Sequence, residues 1–192
     1  MKKVRKMKMI DLNKYYVLVD TECRNVIGNI QKLPTNWNNI SGLDGLSEEE
    51  ISDLNWAGHH NIGWIRITSD KIDDYVCSPD NARINRQAFK NIITEHRKTL
   101  EEEPIDYEVE CGSIKIKPNI RNLHTLSLMK HRDRVNFKSC NFYYLLEKKQ
   151  MEELCVIIEN KIQELFDWEC KLYEKVDLCV DVRDFKKITY DL

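Results

Sequence analysis

Aromatic and β-branched residues crowd the segment Tyr15 to Asp20, and Asn25 to Gln31 reads in the same way, with polar Thr21 to Arg24 between them. That pattern predicts a β-hairpin. Leu33 to Gly42 is rich in turn residues and holds isolated large apolar groups, which predicts an ordered loop pinned by Trp37 and Ile40. Ser47 and Glu50 have the spacing of a capping box, so a short helix with Ile51 and Leu54 on one edge should run from there to Gly58. Gly63 to Thr68 alternates as a third strand would.

Beyond Asp80 the period lengthens. Ile84, Ala88, Phe89, Ile92, Ile93, His96 and Leu100 recur at three- and four-residue steps, predicting an amphipathic helix from Ala82 to about Glu102. Ser78-Pro79-Asp80 suits its start. Tyr107 to Lys117 reads as two short strands about a turn, Ile120 to about Lys130 as a short helix, and Arg134 to Phe137 with Phe142 to Leu146 as a second strand pair. A long helix follows from Lys148 to about Asp181, carrying a stripe of Met151, Leu154, Cys155, Ile158, Ile162, Leu165, Phe166, Leu172, Tyr173 and Val176. The stripe keeps no strict heptad, and polar Glu169 falls where a heptad core residue would sit. This helix should therefore sit first on the Ala82 to Glu102 helix and the strand pair of its own chain, with self-association into a homo-oligomer second. The fold class is α+β, with a β-rich N-terminal subdomain over residues 1–78 and a helix–strand–helix–strand–long-helix domain over residues 79–192.

Composition narrows the classes of function. Of 192 residues 42% are hydrophobic and 32% charged, enough for a core and too few breakers for disorder. The 30 basic and 32 acidic residues nearly cancel, so a nucleic acid is not the expected partner. No apolar run approaches the ~18 residues a membrane-spanning helix needs. The basic stretch Lys2, Lys3, Arg5, Lys6 and Lys8 lacks the apolar block of a secretory signal and reads as a solvated terminus, with a tether to nucleic acid or an acidic surface, or a strand added to a neighbouring subunit's sheet edge, as its alternatives. Seven cysteines, an odd number with no CxxC pair, read as reduced structural thiols in a cytosol, Cys155 and Cys170 as packing residues of the long helix.

Candidate chemistry is sparse. His59-His60 with Cys23, Cys77 and Asp70 lacks metal-ligand spacing, because adjacent imidazoles rarely face one ion. His124, His131 and Asp133 could form an acid–base set but have no nucleophile motif beside them. Glu108 and Glu110 belong to an acidic face rather than to a sugar-binding cleft. Phosphate loops, GxSxG elbows and HExxH are absent from the sequence. The expectation is a chain without catalytic residues, cofactor or metal that works by binding protein. Its candidate contacts are the aromatic anchors Trp37, Trp56 and Trp64, with Trp64 also readable as local core, together with Phe185, Ile188 and Tyr190 of the C-terminal tail.

From Ile84 to Leu178 the chain resembles a small domain of unknown function found mainly in bacteriophage tail-associated proteins. The residues that carry the likeness are Tyr107-Glu108 leading to Cys111-Gly112-Ser113-Ile114-Lys115-Ile116, then Leu145, Met151-Glu152-Glu153-Leu154 and the Phe-x-x-Glu step at Phe166 to Glu169. Leu33 to Gly42 and Leu46 to Trp56 resemble segments that precede this domain. The chain departs from the pattern at Lys117-Pro118-Asn119, where an aspartate-containing turn is usual. The resemblance implies a non-enzymatic structural or adaptor component of a phage tail, at the baseplate or a tail-fibre attachment point. Its partners would be other tail, baseplate or fibre proteins, and its location a virion assembled in the host cytoplasm. A fibre-assembly chaperone missing from the mature virion is the alternative, and a small tail-associated hydrolase stands behind both.

Overall fold

The structure, a computed structural model, describes residues 9–32, 62–110, 112–139 and 142–188. The predicted loop over Leu33 to Gly42, the Ser47 to Gly58 helix, His59-His60 and the basic stretch up to Lys8 lie outside the described residues. The fold is α+β. Its two compact units are Met1–Ile93 with Leu172–Leu192, and Thr94–Lys171. The expected division between residues 78 and 79 is therefore not where the units part. Two long helices, α1 (Pro79–Glu101) and α3 (Lys148–Leu178), each have residues in both units, so one unit is discontinuous in sequence.

In the first unit, β1 (Tyr16–Asp20) pairs antiparallel with β2 (Asn25–Val26) on one side and with β3 (Ile62–Arg66) on the other, and β4 (Val76–Cys77) runs parallel to β2. The order is β3-β1-β2-β4. The β1–β2 turn is held by Asp20, whose Oδ1 accepts from the amides of Glu22 and Cys23 at 2.9 and 2.8 Å. After β2 the backbone crowds β1: a Cβ at Gly28 would stand 2.5 Å from that of Leu18, so only glycine fits. Buried Asn85 of α1 then fixes the strand exit, accepting from the Ile30 amide at 2.8 Å and donating to the Gly28 carbonyl at 3.1 Å. Apolar spacing alone did not mark this asparagine as interior, since its burial depends on backbone groups 55 and 57 residues away. Phe89 of α1 and Phe185 stack at 4.9 Å and close the core of this unit from the C-terminal side. Phe185 opens α4 (Phe185–Ile188), which follows a turn capped by Asp181.

In the second unit, β5 (Ile105–Val109) and β6 (Gly112–Ile116) form one antiparallel pair. A second pair joins β7 (Arg134–Ser139) to β8 (Phe142–Glu147). Between them lies α2 (Ile120–Met129), capped by Asn119, whose Oδ1 accepts from the Asn122 amide at 2.9 Å. The departure at Lys117-Pro118-Asn119 is thus the cap of a helix. Ile114, Leu126, Leu146, Met151, Leu154 and Ile158 meet in a fully buried cluster. The long helix accordingly sits on the strand pair, as its stripe predicted. Glu169, out of place in a heptad, is buried against Arg97 of α1 instead. Cys155 is buried as expected, but Cys170 is exposed, because one helical step turns it from the seam that holds Trp168 and Glu169.

Candidate interaction surface

The β7–β8 hairpin turns two unlike faces outward and inward. Its register pairs Arg134 with Glu147, Asn136 with Leu145 and Lys138 with Tyr143 on one face, and Val135 with Leu146 and Phe137 with Tyr144 on the other. The second face joins the buried cluster. Ser139 links the hairpin to β6, accepting from the Lys115 amide at 3.1 Å and donating to the Lys115 carbonyl at 2.8 Å. Tyr144 adds a hydrogen bond from its hydroxyl to the Ser113 carbonyl at 3.2 Å.

On the outward face β7 presents polar side chains and β8 apolar ones. Tyr143 and Leu145 there are 69% and 56% exposed, and Phe142, which opposes Ser139 on the other face at the start of the strand, is 67% exposed. Lys138 Nζ stands 5.8 Å from the Tyr143 ring centroid, and Arg134 pairs with Glu147 at 3.3 Å. These three apolar side chains, with Val109, Glu110 and Glu147, line an open cleft of about 610 Å³.

The free edge of β8 borders the same cleft. The Lys148 amide donates to the Asp133 carbonyl at 2.9 Å, which fixes the alternation of the ladder. Phe142, Tyr144 and Leu146 therefore exchange backbone bonds with β7, while the backbone groups of Tyr143 and Leu145 point off the far edge. The sheet has two strands, so among the described residues those groups have no strand beside them. The Glu147 amide, next along that edge, is taken by Gln150 Oε1 at 3.0 Å, half of a capping box at the start of α3. The signal was legible: Phe-Tyr-Tyr-Leu-Leu is a continuous apolar run, whereas a strand with one wet face alternates.

Of the residues favoured from sequence, those the structure describes go elsewhere. Trp64 is buried in β3, opposite Leu18 of β1, with 7% exposure, so it is a core residue and not an exposed anchor. Phe185 and Ile188 are also buried, at 0% and 4%, because the tail folds back onto α1 through the Phe89 stack. Trp37, Trp56 and Tyr190 lie outside the described residues. Glu108, Glu110, His124, His131 and Asp133 are all exposed, and no hydrogen bond or ion pair among the described residues joins one to another. Among the described residues no group of three or more metal-ligating side chains comes together. No helix there is long and apolar enough to cross a membrane. Burial pushes the thiols of Cys77, Cys155 and Cys179 up, the last to about 12, the opposite of what a nucleophilic thiolate needs.

No family model matches the chain, and no solved structure does. The chain is 26% identical over 175 residues to a protein of Acanthamoeba polyphaga mimivirus named "Putative RING finger protein R311". The match takes in 88% of this chain but 24% of that protein, so the chain spans about a quarter of its relative's length. Zinc modules of the RING kind draw on cysteines two to four residues apart, and no two of the seven cysteines here are so spaced.

Proposed function

We propose that this chain is a non-enzymatic protein-binding module of a virus-encoded structural or adaptor protein, with the outward face and free edge of the β7–β8 hairpin as its working surface. The observation that carries the reading is the exposure of Tyr143 and Leu145 on the outward face of β8, with Phe142 exposed at the start of the same strand and lining the same cleft. Solvent-facing apolar groups of that size, gathered in one patch with a polar surround, mark interaction sites. The likeness to a mimivirus protein supports a viral setting. Placement in a phage tail rests on the sequence resemblance alone, with an assembly chaperone as its alternative.

A photo-cross-linking amino acid at position 143, in chain produced within its native infection, tests the binding role. Discrete adducts that a control at exposed position 124 does not give are the expected result. Identical, diffuse adducts from both positions overturn it.

A further inference from the structure

The occupant of the hairpin surface can be narrowed, and the inference rests on the binding role just proposed. We infer that the β8 edge pairs with the β8 edge of a second copy, antiparallel and about a twofold axis, to make a four-stranded sheet from two hairpins.

The first support is what the edge lacks. Sheet edges that stay single are guarded by lysine, proline, a bulge or an inward charge. Phe142 to Leu146 has no charged residue and no proline, and its register with β7 is unbroken. The charged residues of the outward face stand on β7, at Arg134 and Lys138, or at the far end, at Glu147. Joining two β8 strands thus brings no like charges opposite each other, and it leaves the two Lys138 columns three strand spacings apart, about 14 Å.

The second support is the register. Among the described residues four backbone groups on this edge have no strand beside them: the N–H and C=O of Tyr143 and of Leu145. An antiparallel pairing centred on Tyr144 sets Tyr143 opposite the partner's Leu145 and Leu145 opposite the partner's Tyr143. Those two pairs satisfy all four groups on both copies. A register centred on Leu145 would oppose Tyr143 to the partner's Glu147, whose amide is already held by Gln150. The capping of α3 therefore selects between the two.

Side chains agree with that choice. On the outward face Tyr143 and the partner's Leu145 become cross-strand neighbours, twice over, and aromatic–aliphatic pairs of this kind stabilise sheets. On the inward face Phe142 comes opposite the partner's Leu146, which gives cover to a ring now two-thirds exposed. A closed twofold contact also spends the edge, so no filament follows.

Size sets the strength. Three side chains exposed by about two-thirds offer roughly 350 Å² of apolar surface per copy, against about 800 Å² per partner in a standard interface. The dimer should be weak, with Kd in the micromolar range or above.

Sedimentation equilibrium from micromolar to near-millimolar concentration, with amide exchange at both ends of that range, tests it. The expected result is a reversible monomer–dimer equilibrium whose Kd rises at least about tenfold in Leu145→Lys. The amides of Tyr143 and Leu145 should slow with concentration while that of Tyr144 stays constant. Leu145→Lys changes an exposed side chain, and an unchanged thermal melt would show that it folds; Tyr143→Lys is the second variant. A monomer throughout the range overturns self-pairing, as does a dimer that both variants leave intact. A monomer that nonetheless gives discrete position-143 adducts with another protein overturns self-pairing alone, and one that gives no discrete adducts removes the binding role as well.

Discussion

Arg97 Nε stands 2.8 Å from Glu169 Oε2, and both side chains are 11% exposed. Glu169 also accepts from Thr94 Oγ1 at 2.7 Å, and Arg97 is paired with Glu101 one helical turn on. Arg97 therefore serves two carboxylates, and Glu169 also holds the Thr94 hydroxyl. Losing the arginine takes a cation from two acids in a part-buried site; losing the charge on Glu169 leaves the arginine with Glu101. Arg97→Ala should cost about 3 kcal/mol, and Glu169→Gln about 1 kcal/mol because Thr94 keeps an acceptor. Urea unfolding of both variants checks the order, and equal losses would contradict it.

Phe185 is fully buried and stacked on Phe89 with rings 8° from parallel. The tail is thus part of the fold. Phe185→Ala should lower stability by about 3 to 5 kcal/mol, the usual range for an emptied phenylalanine site. Phe185→Leu should cost less than half of that, since it keeps most of the volume. Thermal melts followed by circular dichroism decide; a small effect from the alanine variant would return the tail to the surface.

Much of the C-terminal half could be read in advance because its period was long and sustained. Ile84 to Leu100 and Met151 to Val176 each carried several turns of apolar spacing, and the helices observed start and stop within a few residues of those expected. The short elements were harder. β4 has two residues, Val76 and Cys77, and exists only because β2 lies beside it, which no local pattern contains. Trp64 and Phe185 were open to misreading for a related reason. A large aromatic in a short segment is equally suited to a core and to an interface, and only the facing residue, Leu18 or Phe89, decides. The hairpin surface failed in the other direction. Its apolar run was visible, but which of its residues face outward depends on the β7 register.

Ser139 offers a local test of how the second unit is joined. Its single hydroxyl serves both the amide and the carbonyl of Lys115, and the residue is 5% exposed. Ser139→Ala removes both bonds and leaves two backbone groups without that partner, at a cost of about 1 to 3 kcal/mol. Amide exchange at Lys115 should rise in step, and an unaltered rate there would show that the strands hold without the serine.

Tyr107 donates its hydroxyl proton to Glu153 Oε2 at 2.8 Å. Burial first, and then the hydrogen bond and charge of Glu153, push its pKa up to about 12. An unfolded tyrosine releases its proton near pH 10, so between those values the unfolded chain binds fewer protons than the folded one. The stabilisation is whole below about pH 10 and is lost as pH climbs toward 12. Absorbance titration of the eight tyrosines should show a late component that Tyr107→Phe removes. Glu153→Gln should bring that component down without returning it to the ordinary range, because burial, the larger cause, is untouched. A Tyr107→Phe protein that keeps the whole late component would assign it to another ring and undo the argument.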